Sequence, residues 1–293
     1  MKKNLSPWLY LLPHLMFFMI FIFIPLIINS GISFFNWSLL GKKAFIGIEN
    51  YRRIASDPRF WQTVKNTVIF AAVSSPLVIV TGLLFASILT KDIKGKLWIL
   101  IAIVSPTFFG SVGILTTWKW IFASHPGGLA NYYLSHLGII DNAISWFGTS
   151  TRSWIIIVIV TIWWIVGFSV LLYIGALKRI PSEQYEAAQL DGAGAFRRFV
   201  YITLPWIRNV LFFDIIRQIL LAFGLFDQVY FFTEGGPAGS TRTMVYYLFS
   251  TGINRQALGR SAAISWYIFA VILIFAVIQL MGMTKSISNA EDN

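Results

Sequence analysis

Cysteine is absent and histidine occurs only three times in 293 residues. The first absence excludes a disulfide scaffold, a thiolate metal site and a cysteine nucleophile. His14, His125 and His136 lie far apart with no H-E-x-x-H spacing, so the sequence gives no basis for a metal centre. Charge is scarce as well. It reaches 12% of residues, where a soluble domain carries about 25%, so most of the chain has no polar face to offer water. A phosphate-binding loop of the form G-x-x-x-x-G-K-[ST] is missing, because Gly41-Lys42 and Gly95-Lys96 lack both the upstream glycine and the following Ser or Thr. The net charge of +11 forms no basic run dense enough for nucleic acid. It is better assigned to loops that hold helices against anionic lipid.

What the chain does have is apolar length, with 57% hydrophobic residues. Six runs, at about 9–28, 67–89, 98–121, 154–177, 210–226 and 264–283, come close to the roughly 20 residues a helix needs to cross a bilayer. A β-barrel would instead show weakly alternating segments of about ten residues. The expected fold is therefore an all-α integral membrane protein of six transmembrane helices, a single domain over 1–293. The first run follows Lys2 and Lys3 but is longer than a signal-peptide core and lacks a small-residue cleavage site, so it is read as a retained span. Lys and Arg nearly balance between the two sides, yet those on the N-terminal side (Lys2, Lys3, Lys91, Lys94, Lys96 and others, to Lys285) are packed into shorter segments. That density places both termini in the cytoplasm. Phe45 to Trp61, with Arg52, Arg53 and Arg59, suggests an amphipathic element in the interface, and Ala123 to Arg152 an irregular outer connection. The sequon-like Asn36-Trp37-Ser38 is too short a pattern to carry weight.

Between the fourth and fifth runs, residues 178–205 form a polar island. Pro181 stops the preceding span, Ser182 is expected to cap a short helix, and Glu183 and Glu186 suit its first turns. Ala187 and Ala188 leave the backbone open to close approach, and Gly192 and Gly194 permit a turn. A second helical stretch, Phe196 to Thr203, is expected before Pro205 opens the next span. Spacing alone fits either a docking element or a hairpin that merely links two spans.

The pattern Glu-Ala-Ala, three residues, Gly, nine residues, Ile-x-Leu-Pro (Glu186, Ala187, Ala188, Gly192, Ile202, Leu204, Pro205) resembles the signature loop of ABC importer permeases. Tyr10-Leu11-Leu12-Pro13, and Phe226-Asp227 leading to Thr233-Glu234-Gly235-Gly236-Pro237, are similar to the carbohydrate branch, in particular its maltose-type and glycerol-phosphate-type first subunits. Glu234 departs from the small or amide residue common there. The resemblance implies a permease that is not itself an enzyme and works by alternating access. Glu186, Ala187, Ala188 and Gly192 would form a cytoplasmic coupling helix docked on an ATPase. ATP and Mg would sit on two partner ATPase subunits, with no cofactor in this chain. A second homologous permease in a heterodimer, an extracytoplasmic sugar-binding protein and the lipid of the bacterial inner membrane complete the implied partners.

Substrate contacts are sought where polar or small residues interrupt lipid-like spans: Gly167, Phe168 and Ser169 in span four, and Phe223, Gly224 and Asp227 in span five. Phe beside Gly is equally compatible with helix packing. Asp214 and Arg217, three apart, can pair on one helix face. Lys119, between Trp118 and Trp120, suits an interface position. Were Lys119 or Arg217 to face a cavity, an anionic sugar such as a uronate oligosaccharide or a sugar phosphate would become attractive. A secondary, ion-coupled transporter is the alternative class, but Asp214 has a basic neighbour and the two halves show no evident repeat.

Overall fold

The computed structural model describes residues 6–41 and 43–291, so Lys2, Lys3 and Lys42 lie outside the described residues. The side chain of Lys285 is outside them too. Helices dominate. In chain order they are α1 (Ser6–Phe18), α2 (Ile24–Ser33), α3 (Glu49–Ala55), α4 (Pro58–Leu89), α5 (Lys96–Val104), α6 (Ser111–Ile121) and α7 (Leu129–His136). They continue as α8 (Ser150–Leu177), α9 (Ser182–Leu190), α10 (Ala195–Arg198), α11 (Leu204–Phe223), α12 (Asp227–Phe232), α13 (Met244–Phe249) and α14 (Leu258–Glu291). One small antiparallel pair, β1 (Phe35–Trp37) with β2 (Lys43–Phe45), follows α2.

The helices fall into two compact bodies. The first comprises the described residues up to Trp61 together with Tyr247–Val271, and the second Gln62–Tyr246 with the segment from Ile272 onward. Within the first body, Asn50 donates from Nδ2 to the carbonyls of Ser33 and Phe35 at 2.8 and 2.9 Å, which fixes α3 beneath the β pair. The Tyr247 hydroxyl donates to Asp57 Oδ2 at 2.6 Å. Burial alone would raise the Asp57 carboxyl. The bonds from Tyr247 and from the Arg59 amide, with the charges of Arg59 and Arg255, outweigh it and hold the group below its ordinary value.

Among the described residues, five helical segments are long and apolar enough to span a membrane, six if one bent pair counts as a single span. That pair is the expected third span. It is not continuous over 98–121: α5 and the 3₁₀ turn Ser105–Phe108 meet α6 at 106°. Pro106 cannot donate to the helical ladder, and Phe109 and Gly110 adopt extended backbone. The second span also differs, starting at Pro58 rather than near residue 67. Asp57 Oδ1 accepts from the Arg59 amide at 2.9 Å, an acidic cap with proline in the first helical position. Thr63, Asn66 and Thr67 in those early turns are buried rather than solvated, and Asn66 donates to the carbonyls of Ser240 and Arg242.

Candidate functional site

The island folds as a short helix and a return. Pro181, not Ser182, occupies the N-cap position of α9, with extended backbone and no side-chain cap; Ser182 is the first helical residue. The other end closes as expected of a glycine stop. Gly192 has φ +75°, its amide donates to Gln189 O, and the Ala193 amide donates to Ala188 O. These are the paired bonds of a Schellman motif, in which a left-handed residue satisfies the last carbonyls of a helix. Beyond it α10 runs through a π turn, Phe199–Thr203, directly into α11. Pro205 therefore does not break the chain. The Leu204 amide reaches back to Phe199 O, and this wider turn accommodates the proline that follows. Tyr185 and Thr203 hydroxyls lie 2.8 Å apart, and Trp206 Nε1 donates to Gln184 Oε1 at 2.6 Å, so α9 is held against the foot of α11. Its outward side remains free: Glu186 and Ala187 are exposed, Ala188 half-buried, and Leu190 and Phe196 are 91% and 81% exposed.

A cavity of about 400 Å³ opens within the second body, between α4, the 3₁₀ turn, α8, α11 and α12. This size is in the range of small-ligand sites. Phe70, Trp164, Phe168 and Phe226 give it aromatic faces; Ser74, Thr107, Thr161, Gln228, Asp227 and Arg217 give it polar ones. Gln228 Nε2 donates to Thr161 Oγ1 at 3.1 Å and ties α12 to α8, while Thr107 Oγ1 donates to the Trp164 carbonyl at 3.0 Å and seats the broken third span against the same helix. Gly167 permits that seating. A Cβ there would stand 2.7 Å from Val104 Cα and 2.8 Å from Ile103 O, both backbone atoms.

Arg217 does face the cavity, and it is also paired. Its Nε donates to Asp214 Oδ1 at 3.1 Å, its terminal nitrogen to Ser169 Oγ at 3.2 Å, and its guanidinium carbon lies 4.2 Å from the centroid of Phe168. Asp214, completely buried, accepts a further bond from the Tyr173 hydroxyl at 2.7 Å. Gln218 Nε2 donates to Ser169 Oγ at 3.0 Å. Charges this far into an apolar body are tolerated when paired and hydrogen-bonded, as these are.

Of the residues singled out in the sequence, Phe168, Gly224 and Asp227 line this cavity. Ser169 lies just behind the wall, buried and bonded to Arg217 and Gln218. Gly167 faces α5 instead, and Phe223 is buried with its ring 5.2 Å from that of Phe275. Lys119 is exposed at the end of α6 and takes no part in the wall. Tyr173, Gln218, Thr161 and Trp164 were not singled out. Only Gln218 left a trace, lying four residues after Asp214 and therefore on its face. Among the described residues, no group of three or more His, Asp and Glu is placed to hold a metal.

Comparison with known proteins agrees with this architecture. The model of a family described as binding-protein-dependent transport system inner membrane component matches residues 7–284. The trehalose/maltose transport system permease protein MalF of Thermococcus litoralis is 34% identical over 93% of this chain and 92% of its own length. The lactose transport system permease protein LacF of Rhizobium radiobacter is 30% identical over 94% and 93%. Among solved structures, a chain of a bacterial ABC transporter involved in the import of the acidic polysaccharide alginate shares the fold with a TM-score of 0.85 at 19% identity, covering 97% of this chain and 96% of that one. The chain belongs to the binding-protein-dependent transport system inner membrane components, and is a multi-pass permease subunit of an ABC importer.

Proposed function

We propose that this permease passes a neutral sugar or oligosaccharide through the cavity between α8, α11 and α12, and that its transport is driven by a separate ATPase docked on α9. The cavity wall carries this reading. Phe168 and Trp164 offer ring faces to the apolar side of a sugar, and Thr161, Gln228 and Asp227 offer hydroxyl partners. The charge of Arg217 is already met by Asp214, and Asp227 adds a carboxylate, so the wall has no surplus cation for an anion. Trehalose/maltose and lactose in the names of the similar permeases agree with a neutral substrate, whereas the alginate transporter that shares the fold handles an acidic one. Uptake into proteoliposomes of maltose, lactose and an alginate trisaccharide, each with its binding protein, tests the point. Transport of the alginate fragment alone would overturn it.

For coupling, Glu186, Ala187, Ala188 and Gly192 form the docking face, with Leu190 and Phe196 as exposed apolar flanks. Two ATPase subunits holding ATP and Mg, a second homologous permease in a heterodimer, and an extracytoplasmic sugar-binding protein complete the assembly. Residues 1–293 act as one permease domain, a reading supported by a family match that spans 7–284 and runs through both bodies; the density of Lys and Arg supports cytoplasmic ends. Glu186→Ala should lower uptake by about tenfold, the effect of some 1.4 kcal/mol at a contact, while the complex still copurifies. Uptake at the unsubstituted level would count against the docking face. Uptake abolished by a protonophore and indifferent to ATP would instead indicate an ion-coupled carrier.

A further inference from the structure

Between the cavity and the α9 loop lies a layer of polar side chains that neither substrate contact nor docking explains. On α8, Phe168 reaches the cavity, and Tyr173 lies five residues nearer the loop. On α11, Gln218 and Arg217 reach the cavity, and Asp214 is the member nearer the loop. Three hydrogen bonds cross from one helix to the other: Tyr173 to Asp214 at 2.7 Å, Arg217 to Ser169 at 3.2 Å and Gln218 to Ser169 at 3.0 Å. Phe168 adds a fourth link through its ring over the Arg217 guanidinium. Ser169, Tyr173, Asp214 and Gln218 are all buried. A third helix closes over them at a point where only glycine fits comfortably. A Cβ on Gly82 of α4 would come within 3.0 Å of Ser169 Cβ and 3.2 Å of the Tyr173 ring.

An apolar helix crossing in a membrane can slide, because lipid and neighbouring side chains offer nearly the same contacts at each step. A crossing held by buried hydrogen bonds cannot, since each displaced donor or acceptor would be left without a partner in a medium that supplies none. We propose that Tyr173, Ser169, Asp214, Arg217 and Gln218 are positioning residues that bind α8 and α11 into one rigid body. Displacement of the loop joining these two helices then reaches the cavity wall without loss. The proposal rests on the reading that α9 receives the ATPase. It assigns the Asp214–Arg217 pair a mechanical part: Arg217 is at once a wall residue of the cavity and a rivet of the pair of helices that carries the docking loop.

The absence of cysteine makes the test direct. Leu171 and Phe213 are exposed, one on each helix, and neither belongs to the clamp. Spin labels at Leu171→Cys and Phe213→Cys report the separation of α8 and α11 by pulsed electron resonance in the intact complex in nanodiscs, without nucleotide and with ATP plus vanadate. With the clamp present, the separation should change by less than about 2 Å between the two conditions, a displacement typical of small helix shifts. With Ser169→Ala and Tyr173→Phe it should change by more, or the distribution should broaden. Tyr173→Phe alone, which removes a single hydroxyl, serves if the double variant does not assemble. A larger change with the clamp intact, or an unaltered separation in both variants, overturns the proposal. A complex that hydrolyses no ATP would remove the coupling reading beneath it, and the measured turnover distinguishes that failure from the first.

Discussion

In α9 Glu186 and Ala187 are exposed, and the helix is held by Tyr185 on Thr203 and Gln184 on Trp206. In the wall shared by α8 and α11 the reverse holds: Ser169, Tyr173, Asp214 and Gln218 are buried, and each is bonded to a residue 41 to 49 positions away or to a helix neighbour. The first region leaves its outward side exposed, so its own stability does not depend on what it presents. The second is built to hold together, and its chemistry cannot be altered without altering its packing. On the proposed function, force taken at one place and a ligand enclosed at another would call for both kinds of construction in one chain.

Substitutions that separate stability from transport would sharpen this contrast. The largest effect belongs to the wall. Asp214→Ala leaves Arg217 without its counter-charge and should lower stability by about 3–5 kcal/mol, read as a large fall in the thermal unfolding midpoint of the detergent-solubilised protein. Gly167→Ala places a methyl against the backbone of Val104 and Ile103, an overpacking of about 1–3 kcal/mol by the same measurement. Gly192→Ala, at φ +75° in the loop, should cost about 1 kcal/mol, the strain of a left-handed residue bearing a Cβ. It should also fray the end of α9, seen as faster amide exchange at Ala193. Smallest is Glu186→Ala. Its exposed position predicts a stability change within about 0.5 kcal/mol even as uptake falls. A destabilisation as large as that of Asp214→Ala would erase the distinction between the two regions.

The same division explains what could be read from residues alone. The loop was legible because its signals are local: a proline stop, two alanines, and a glycine at a left-handed position all act within a few residues. Two readings of it missed: Ser182 for Pro181 at the cap, a displacement of a single position, and a new span opening at Pro205, where the helix in fact runs on from α10. The second span began earlier than its apolar run because Thr63 is buried and Asn66 is both buried and bonded to the carbonyls of a distant loop, which hydropathy cannot anticipate. The break in the third span was written in Pro106 and Gly110, but the apolar stretches on either side of it hid it. Asp214 and Arg217 were paired correctly by their spacing. Their link to Tyr173 depends on how α8 and α11 are placed against each other, which no short-range pattern encodes.

The unbroken passage from α10 through the π turn into α11 has a geometric consequence. From Ala195 to Phe223 the chain is one rod, about 40 Å long at 1.5 Å per residue. A tilt of about 5° about one end of such a rod carries the other through some 3–4 Å, more than a hydrogen bond can stretch. Had Pro205 broken the helix, a hinge at that point could have absorbed the same tilt at the loop. The π turn takes up the proline and keeps the arm whole, so angular motion at the foot of the rod becomes travel at the level of Arg217 and Gln218.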